Sequence, residues 1–291
     1  MGDNLKNNVF WIASYPKSGN TWLKNILKTA GANYGFPTKN INIHNLEKSY
    51  DAFPVNYSLN PAIYSEPCPV LKTHRIWPRN KQPHQLLELN TVGFIHIYRN
   101  PLDVLLSYIN FTRIMYKQNV NNEQFRNSLF NILLGMEPVG YDKWKKMKLD
   151  DIPRKNLDNA LEYFTKNNME IAAFRAISKN WIRHTRTWKE HVKDGFGVSI
   201  RYEDCLNDKN TFKKILPFFK FSEQELMHAI DYVDTISQDK SKNYVKGENP
   251  FFNKMQSYYY KEYFSENMLD KFLCRYEAVL MKHGYSELFN N

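Results

Sequence analysis

The feature that most narrows the fold lies near the start of the chain. Val9-Phe10-Trp11-Ile12-Ala13-Ser14 is a short run whose apolar side chains occupy both alternating registers, and Tyr15-Pro16 ends it with a turn signal. Apolar residues at both parities need cover on both faces, which is the condition of a strand inside a helix-covered sheet. After Gly19, residues Trp22, Leu23, Ile26, Leu27 and Ala30 recur at helical spacing, and Gly31 is the expected C′ residue. Strand, loop and helix in that order open a βα unit, and such units stack into parallel sheets.

The same grammar returns along the chain. Pro69 to His74 reads as a second strand ending in three polar side chains. Val92 to Tyr98 reads as a third, running into Arg99-Asn100-Pro101, where Asn100 is expected to cap and Pro101 to take the first position of a helix through Phe111. Phe196 to Arg201 reads as a fourth, followed by Tyr202-Glu203-Asp204, and helical spacing also covers Ile171–Val192, Phe212–Ile236 and Met268–His283. The expectation is an α/β protein of three layers, a central parallel sheet flanked by helices, in a single domain over residues 1–291. Tyr34 to Pro69 reads as surface connections. Tyr116 to Phe174, polar, basic and broken by Gly135, Pro138, Gly140 and Pro153, reads as an insertion, and Tyr244 to Tyr263 as an aromatic loop.

Composition narrows the ligand class. Lys and Arg number 40 against 30 Asp and Glu, a net charge of +10, which favours a polyanionic ligand: nucleic acid, an anionic membrane or a multiply phosphorylated small molecule. The three cysteines, Cys68, Cys205 and Cys274, are far apart and form no C-x-x-C, so neither a disulfide framework nor a zinc site is indicated and a reducing cytoplasm fits. Val9 to Ala13 is too short for a signal-peptide core or a membrane span, so the chain reads as soluble.

Three constellations carry chemistry. Tyr15-Pro16-Lys17-Ser18-Gly19-Asn20-Thr21-Trp22 joins a strand to a helix start, where unpaired N–H groups and the helix dipole stabilise an anion and Lys17, Ser18 and Thr21 add donors. It is not G-x-x-x-x-G-K-[ST], because its lysine precedes its glycine. Lys72-Thr73-His74 places an imidazole, suited to taking a proton near neutral pH, two residues from a lysine on the same face of an extended segment. In Arg99-Asn100-Pro101-Leu102-Asp103-Val104-Leu105-Leu106-Ser107, Arg99 is able to grip a phosphate bidentately and Ser107 offers a hydroxyl two turns into the helix, while Asp103 is read as a helix cap.

Taken together, YPKSGNTW, LKTH and YRNPLDVLLSY resemble the PAPS-dependent sulfotransferase family in order and spacing over most of the chain. The resemblance implies a P-loop nucleotide-kinase-like sheet and the donor PAPS, released as adenosine 3′,5′-bisphosphate (PAP). By position, Lys17, Ser18, Gly19, Asn20, Thr21 and Trp22 would hold the 5′ end, with Trp22 near adenine. Arg99 and Ser107 would hold the 3′-phosphate, and Tyr202 would meet the adenine edge. His74 would act as base, with Lys17 and Lys72 stabilising the transferring and leaving charge and no metal needed. Lys246 and Gly247 would meet the 3′-phosphate and Thr235 and Ser237 would approach adenine.

The match also departs from the family pattern. Val245 stands where an arginine is expected, and only the first position of the family's dimer motif agrees near Lys261 to Glu266, so a monomer or weak dimer is expected. The 116–174 insertion is expected to act as a lid that shapes the pocket of a small-molecule acceptor. The competing readings are a magnesium-dependent small-molecule or nucleotide kinase and a non-catalytic polyanion-binding protein. Against the first stands the missing G-K-[ST]. Against the second stands the dispersal of the cations outside Lys143 to Lys148. Neither nucleic acid nor a membrane is expected as partner.

Overall fold

The computed structural model describes residues 8–31, 50–53, 68–77, 90–119, 121–195, 197–244 and 257–289. Two compact units emerge. The first comprises Met1–Arg99, Ala176–Lys179 and Arg183–Ile236, and the second Asn100–Arg175, Asn180–Ile182 and Ser237–Asn291.

The first unit holds the sheet. Its strands are β1 (Asn8–Ala13), β2 (Tyr50–Phe53), β3 (Cys68–Thr73), β4 (Asn90–Tyr98) and β5 (Gly197–Arg201), in the order β2-β3-β1-β4-β5. The pairs β3·β1, β1·β4 and β4·β5 are parallel, and β2 lies antiparallel against β3. The α/β architecture with parallel strands and flanking helices is therefore as expected. The antiparallel edge strand is not: Tyr50-Asp51-Ala52-Phe53 has neither the length nor the apolar alternation that announces a strand.

Both faces of β1 are covered, as its apolar run requires. Trp11 and Ala13 cluster with Phe94 and Trp188 on one side, with Trp77 and Val192 packed against them. Phe10 meets Phe218 and Phe219 at ring separations of 5.7 and 5.4 Å on the other. Each such side chain, fully buried, contributes about 1.5–3 kcal/mol. Helix α1 (Asn20–Ala30) buries Trp22, Leu23, Ile26, Leu27 and Ala30, the stripe its spacing predicts. Gly31 closes it with φ −86°, a right-handed conformation rather than the left-handed one expected of a C′ glycine.

In the second unit, α2 (Pro101–Gln118) begins as predicted, with the Asn100 side chain accepting from the Leu102 N–H at 2.9 Å. It continues beyond Phe111 because no breaker intervenes and Tyr116 is buried, its hydroxyl donating to the Val139 carbonyl at 2.9 Å. The 116–174 stretch is largely helical. It forms α3 (Glu123–Arg126), a π-helical segment (Asn127–Leu134), α4 (Tyr141–Lys146) and α5 (Arg154–Lys166), which bury Phe130, Trp144, Leu161 and Phe164. Short α6 (Arg175–Ser178) and α7 (Trp181–Glu190) precede β5. Then α8 (Tyr202–Asn207), a 3₁₀ stretch (Lys209–Phe218), α9 (Glu223–Tyr244) and α10 (Glu266–Lys282) complete the chain. Within the second unit α10 packs on α5, where Tyr276 donates its hydroxyl to the Thr165 carbonyl at 2.6 Å.

Asn100 holds the cap position, and the buried Asp103 carboxylate, read from the sequence as a helix cap, also accepts from the Tyr258 and Tyr260 backbone N–H groups at 2.8 and 3.2 Å.

Candidate functional site

The order β3-β1-β4 reverses direction about β1, and in open parallel sheets ligands bind beyond the carboxyl ends of strands at such a switch point. The polar residues singled out in the sequence follow those ends: Ser14 to Gly19 after β1, His74 after β3 and Arg99 after β4. Sequence order alone delivers three separated polar stretches to one end of one sheet.

The loop after β1 is wound tightly. Lys17 takes φ 74° and Gly19 φ 102°, both left-handed, and the Ser18 N–H closes a turn on the Tyr15 carbonyl at 3.2 Å. A side chain at position 19 would place its Cβ 2.7 Å from Tyr202 Cδ2, so glycine is required there for space as well as for backbone conformation. No side chain caps α1 and no acidic residue lies in its first turn, which leaves its N-terminal dipole uncompensated. The Ser18 hydroxyl is buried and has no hydrogen-bond partner among the described residues.

The charges gathered here repel one another. Burial, then Lys72 and Arg99, drive Lys17 down from the ordinary lysine range to about 7. His74 is driven to about 3 by burial first and then by Lys72 and Lys17, with its bond to Ser14 opposing the shift. Its Nδ1 lies 2.8 Å from the Ser14 carbonyl, which only accepts, so Nδ1 carries the proton and Nε2 the lone pair. A buried hydroxyl without a partner beside converging cations is what a bound phosphosulfate would complete, and the residues fit such a group.

Other sequence candidates are placed as follows. Asn20 is buried, and its side-chain amide donates to Ile12 O at 3.2 Å, Ser14 Oγ at 3.0 Å and Thr73 O at 3.4 Å, tying the strand ends together. Thr21 sits half-buried in the first turn of α1. Trp22 is buried edge-on to Tyr202 and Phe212, its indole N–H donating to Asp234 at 2.9 Å. Tyr202 opens α8 rather than ending a strand, and the Arg99 guanidinium lies 4.4 Å from its ring centre. Ser107 is buried on α2 in the second unit. Thr235 is exposed on α9 with its hydroxyl returned to the Asp231 carbonyl at 2.8 Å, and Ser237, on the same helix, is buried. Lys246 and Gly247 lie outside the described residues.

The segment after His74 has supports the sequence reading missed. The Trp188 indole N–H donates to the Arg75 carbonyl at 2.9 Å, and Thr187 Oγ1 accepts from the Trp77 N–H at 3.3 Å. His184, buried between Tyr15 and His96, is lowered to about 3 by its burial and by His74. All three residues lie on α7, His184 one turn before the neighbouring Thr187 and Trp188. That spacing marks a buried helix face but not what the face holds.

A sulfotransferase domain matches residues 7–284. An amine sulfotransferase of Oryctolagus cuniculus is 24% identical over 226 residues, which cover 76% of this chain and 58% of the rabbit protein, less than two thirds of its length. Two solved structures share the fold. Mouse sulfotransferase SULT7A1 complexed with PAP has TM-score 0.54 at 17% identity, covering 94% of this chain and 85% of that one. Retinol dehydratase with androsterone and inactive cofactor PAP has TM-score 0.51 at 14% identity, covering 94% and 81%. With the domain match running over nearly its whole length, the chain belongs to the sulfotransferase family.

Proposed function

We propose that this chain is a PAPS-dependent sulfotransferase that moves a sulfuryl group to a hydroxyl or amine of a small-molecule acceptor. The observation that carries the reading is the meeting of Lys17, Lys72 and Arg99 beside a neutral His74, where Lys72 and Arg99 both act on Lys17 as like charges. The rabbit relative's name supports keeping amines among the acceptors. PAPS would supply a sulfuryl group on a phosphate leaving group.

Lys17 and Lys72 lower the barrier by holding positive charge where the leaving oxygen becomes negative. The Ser18 hydroxyl and the α1 N-terminus add donors to the same end, and Arg99 with Ser107 takes the 3′-phosphate. By the family resemblance Trp22, Tyr202, Thr235 and Ser237 would border adenine, and Lys246 and Gly247, outside the described residues, would extend the 3′-phosphate contacts. His74, held by Ser14 through Nδ1, takes the acceptor's proton on Nε2. Anions that offset Lys17 and Lys72 remove the part of the depression that comes from their repulsion, so the imidazole grows more basic with the donor bound, while the larger part due to burial stays.

The 116–174 stretch belongs in this reading as the element that shapes the acceptor pocket, within one domain that works as a monomer or weak dimer in the cytoplasm. Among the described residues no helix is long and apolar enough to cross a membrane. Transfer of labelled sulfate from PAPS across a panel of hydroxyl and amine acceptors, without added magnesium, tests the activity. Saturable heat on titrating PAP is expected, and its absence in correctly folded protein sinks the reading.

A further inference from the structure

The second unit contains a cavity of about 310 Å³ walled by α2, the π-helical segment and α5. Small-molecule sites begin at about this size. Leu105, Leu129, Leu133 and Phe164 supply its apolar wall. Leu129 and Leu133, four residues apart on one face of the π-helical segment, both border the space. Such π-helical turns recur at functional sites.

Tyr108 is the most deeply buried polar side chain on a wall that also carries Asn122, Gln124, Ser128, Tyr163 and Glu170. Its side chain is 6% exposed and stands edge-on to Phe174 at 5.3 Å, and its hydroxyl bonds to no other described residue. Burial, with Tyr163 nearby, pushes the phenol well above its usual range, so it remains a neutral donor. Glu170, the carboxylate on the wall, is engaged by Arg175. The cavity thus offers apolar surface, a buried hydroxyl and no uncompensated charge.

We infer that this cavity is a second small-molecule site, taking a neutral, mostly apolar ring compound whose carbonyl or ether oxygen accepts from the Tyr108 hydroxyl. It is distinct from the surface assigned to the donor. Ser107 precedes Tyr108 by one residue and follows Leu105 by two, so at about 100° per residue it points about 100° and 160° away from them around α2. A molecule seated against Leu105 and Tyr108 leaves the Ser107 side of the helix uncovered.

The probe is α-tetralone, a ketone without hydroxyl or amine and hence unable to accept a sulfuryl group, titrated calorimetrically into the full chain. Saturable binding is expected in the high-micromolar to low-millimolar range. Tyr108→Phe should weaken it about three- to tenfold by removing one hydrogen bond. Leu129→Trp, which fills the cavity, should abolish it while circular dichroism melts show a folded protein. Should Leu129→Trp fail to fold, the single-atom change at Tyr108 decides. No saturable heat, or unchanged affinity in Tyr108→Phe, overturns the site, and neither result depends on sulfuryl transfer.

Discussion

The loop from Ser14 to Gly19 and the cavity beside Tyr108 are both recesses, built from opposite material. The first sets left-handed backbone and mutually repelling cations at the ends of parallel strands. The second is walled by helices and side chains with no net charge to place. A recess for anions must hold like charges together while empty, so it needs a sheet stiff enough to resist them. A recess for a neutral molecule needs only to be left unfilled. The strain in the first is visible in Lys17, held near 7 by burial and its neighbours.

The hardest blow to the contrast is His74→Ala. Turnover should fall at least about a hundredfold while the heat of PAP binding is nearly unchanged; wild-type-like turnover would detach the strand-end recess from the chemistry. Gly19→Ala comes next. Its Cβ meets Tyr202 at 2.7 Å in a left-handed conformation, so denaturant melts should show a loss of about 1–3 kcal/mol. An unchanged midpoint would mean the loop is looser than its dihedrals say. Asp103→Asn probes the second unit, replacing a carboxylate that accepts two backbone N–H groups from Tyr258 and Tyr260, and should lower stability by about 1–2 kcal/mol.

Smaller effects sharpen the comparison. Trp188→Phe keeps a ring against Phe94 but removes the donor to Arg75, and should slow turnover about three- to tenfold with PAP affinity held. A parallel loss of affinity would show a general collapse instead of a misplaced imidazole. The last concerns protons. Because Lys17 binds its proton less tightly in the folded state, the unfolded chain carries more protons between about pH 7 and the ordinary lysine range. Lys17 therefore adds stability as pH rises through that window and exacts its full penalty below it. An arriving anion reverses the shift. Calorimetry of PAP near pH 8 in buffers of differing ionisation heat should show uptake of a fraction of one proton, absent in Lys17→Met.

What was legible in the sequence was contiguous. Lys17 to Trp22, Lys72 to His74 and Arg99 each lie where a strand's apolar run stops, so period and punctuation alone located them. Asn100 and Pro101 announced their helix start for the same local reason. The supports were not contiguous. Trp188 reaches the Arg75 carbonyl across 113 residues, and Asp103 reaches Tyr258 across 155, so neither partner leaves a mark near the other. An acidic residue in a first turn has a common local use, so the bonds of Asp103 to Tyr258 and Tyr260 left no sign in its own neighbourhood. The cavity residues come from helices far apart in the chain, each amphipathic for ordinary packing, and nothing in their spacing records a void.

The Asn20 amide draws on carbonyls or hydroxyls belonging to both β1 and the end of β3, one of them 53 residues away. An assembly intermediate in which the first strand and helix have formed but the later strand has not docked lacks one of those acceptors. The order of the anion-facing loop thus leans on a strand end supplied by a distant stretch of the polypeptide.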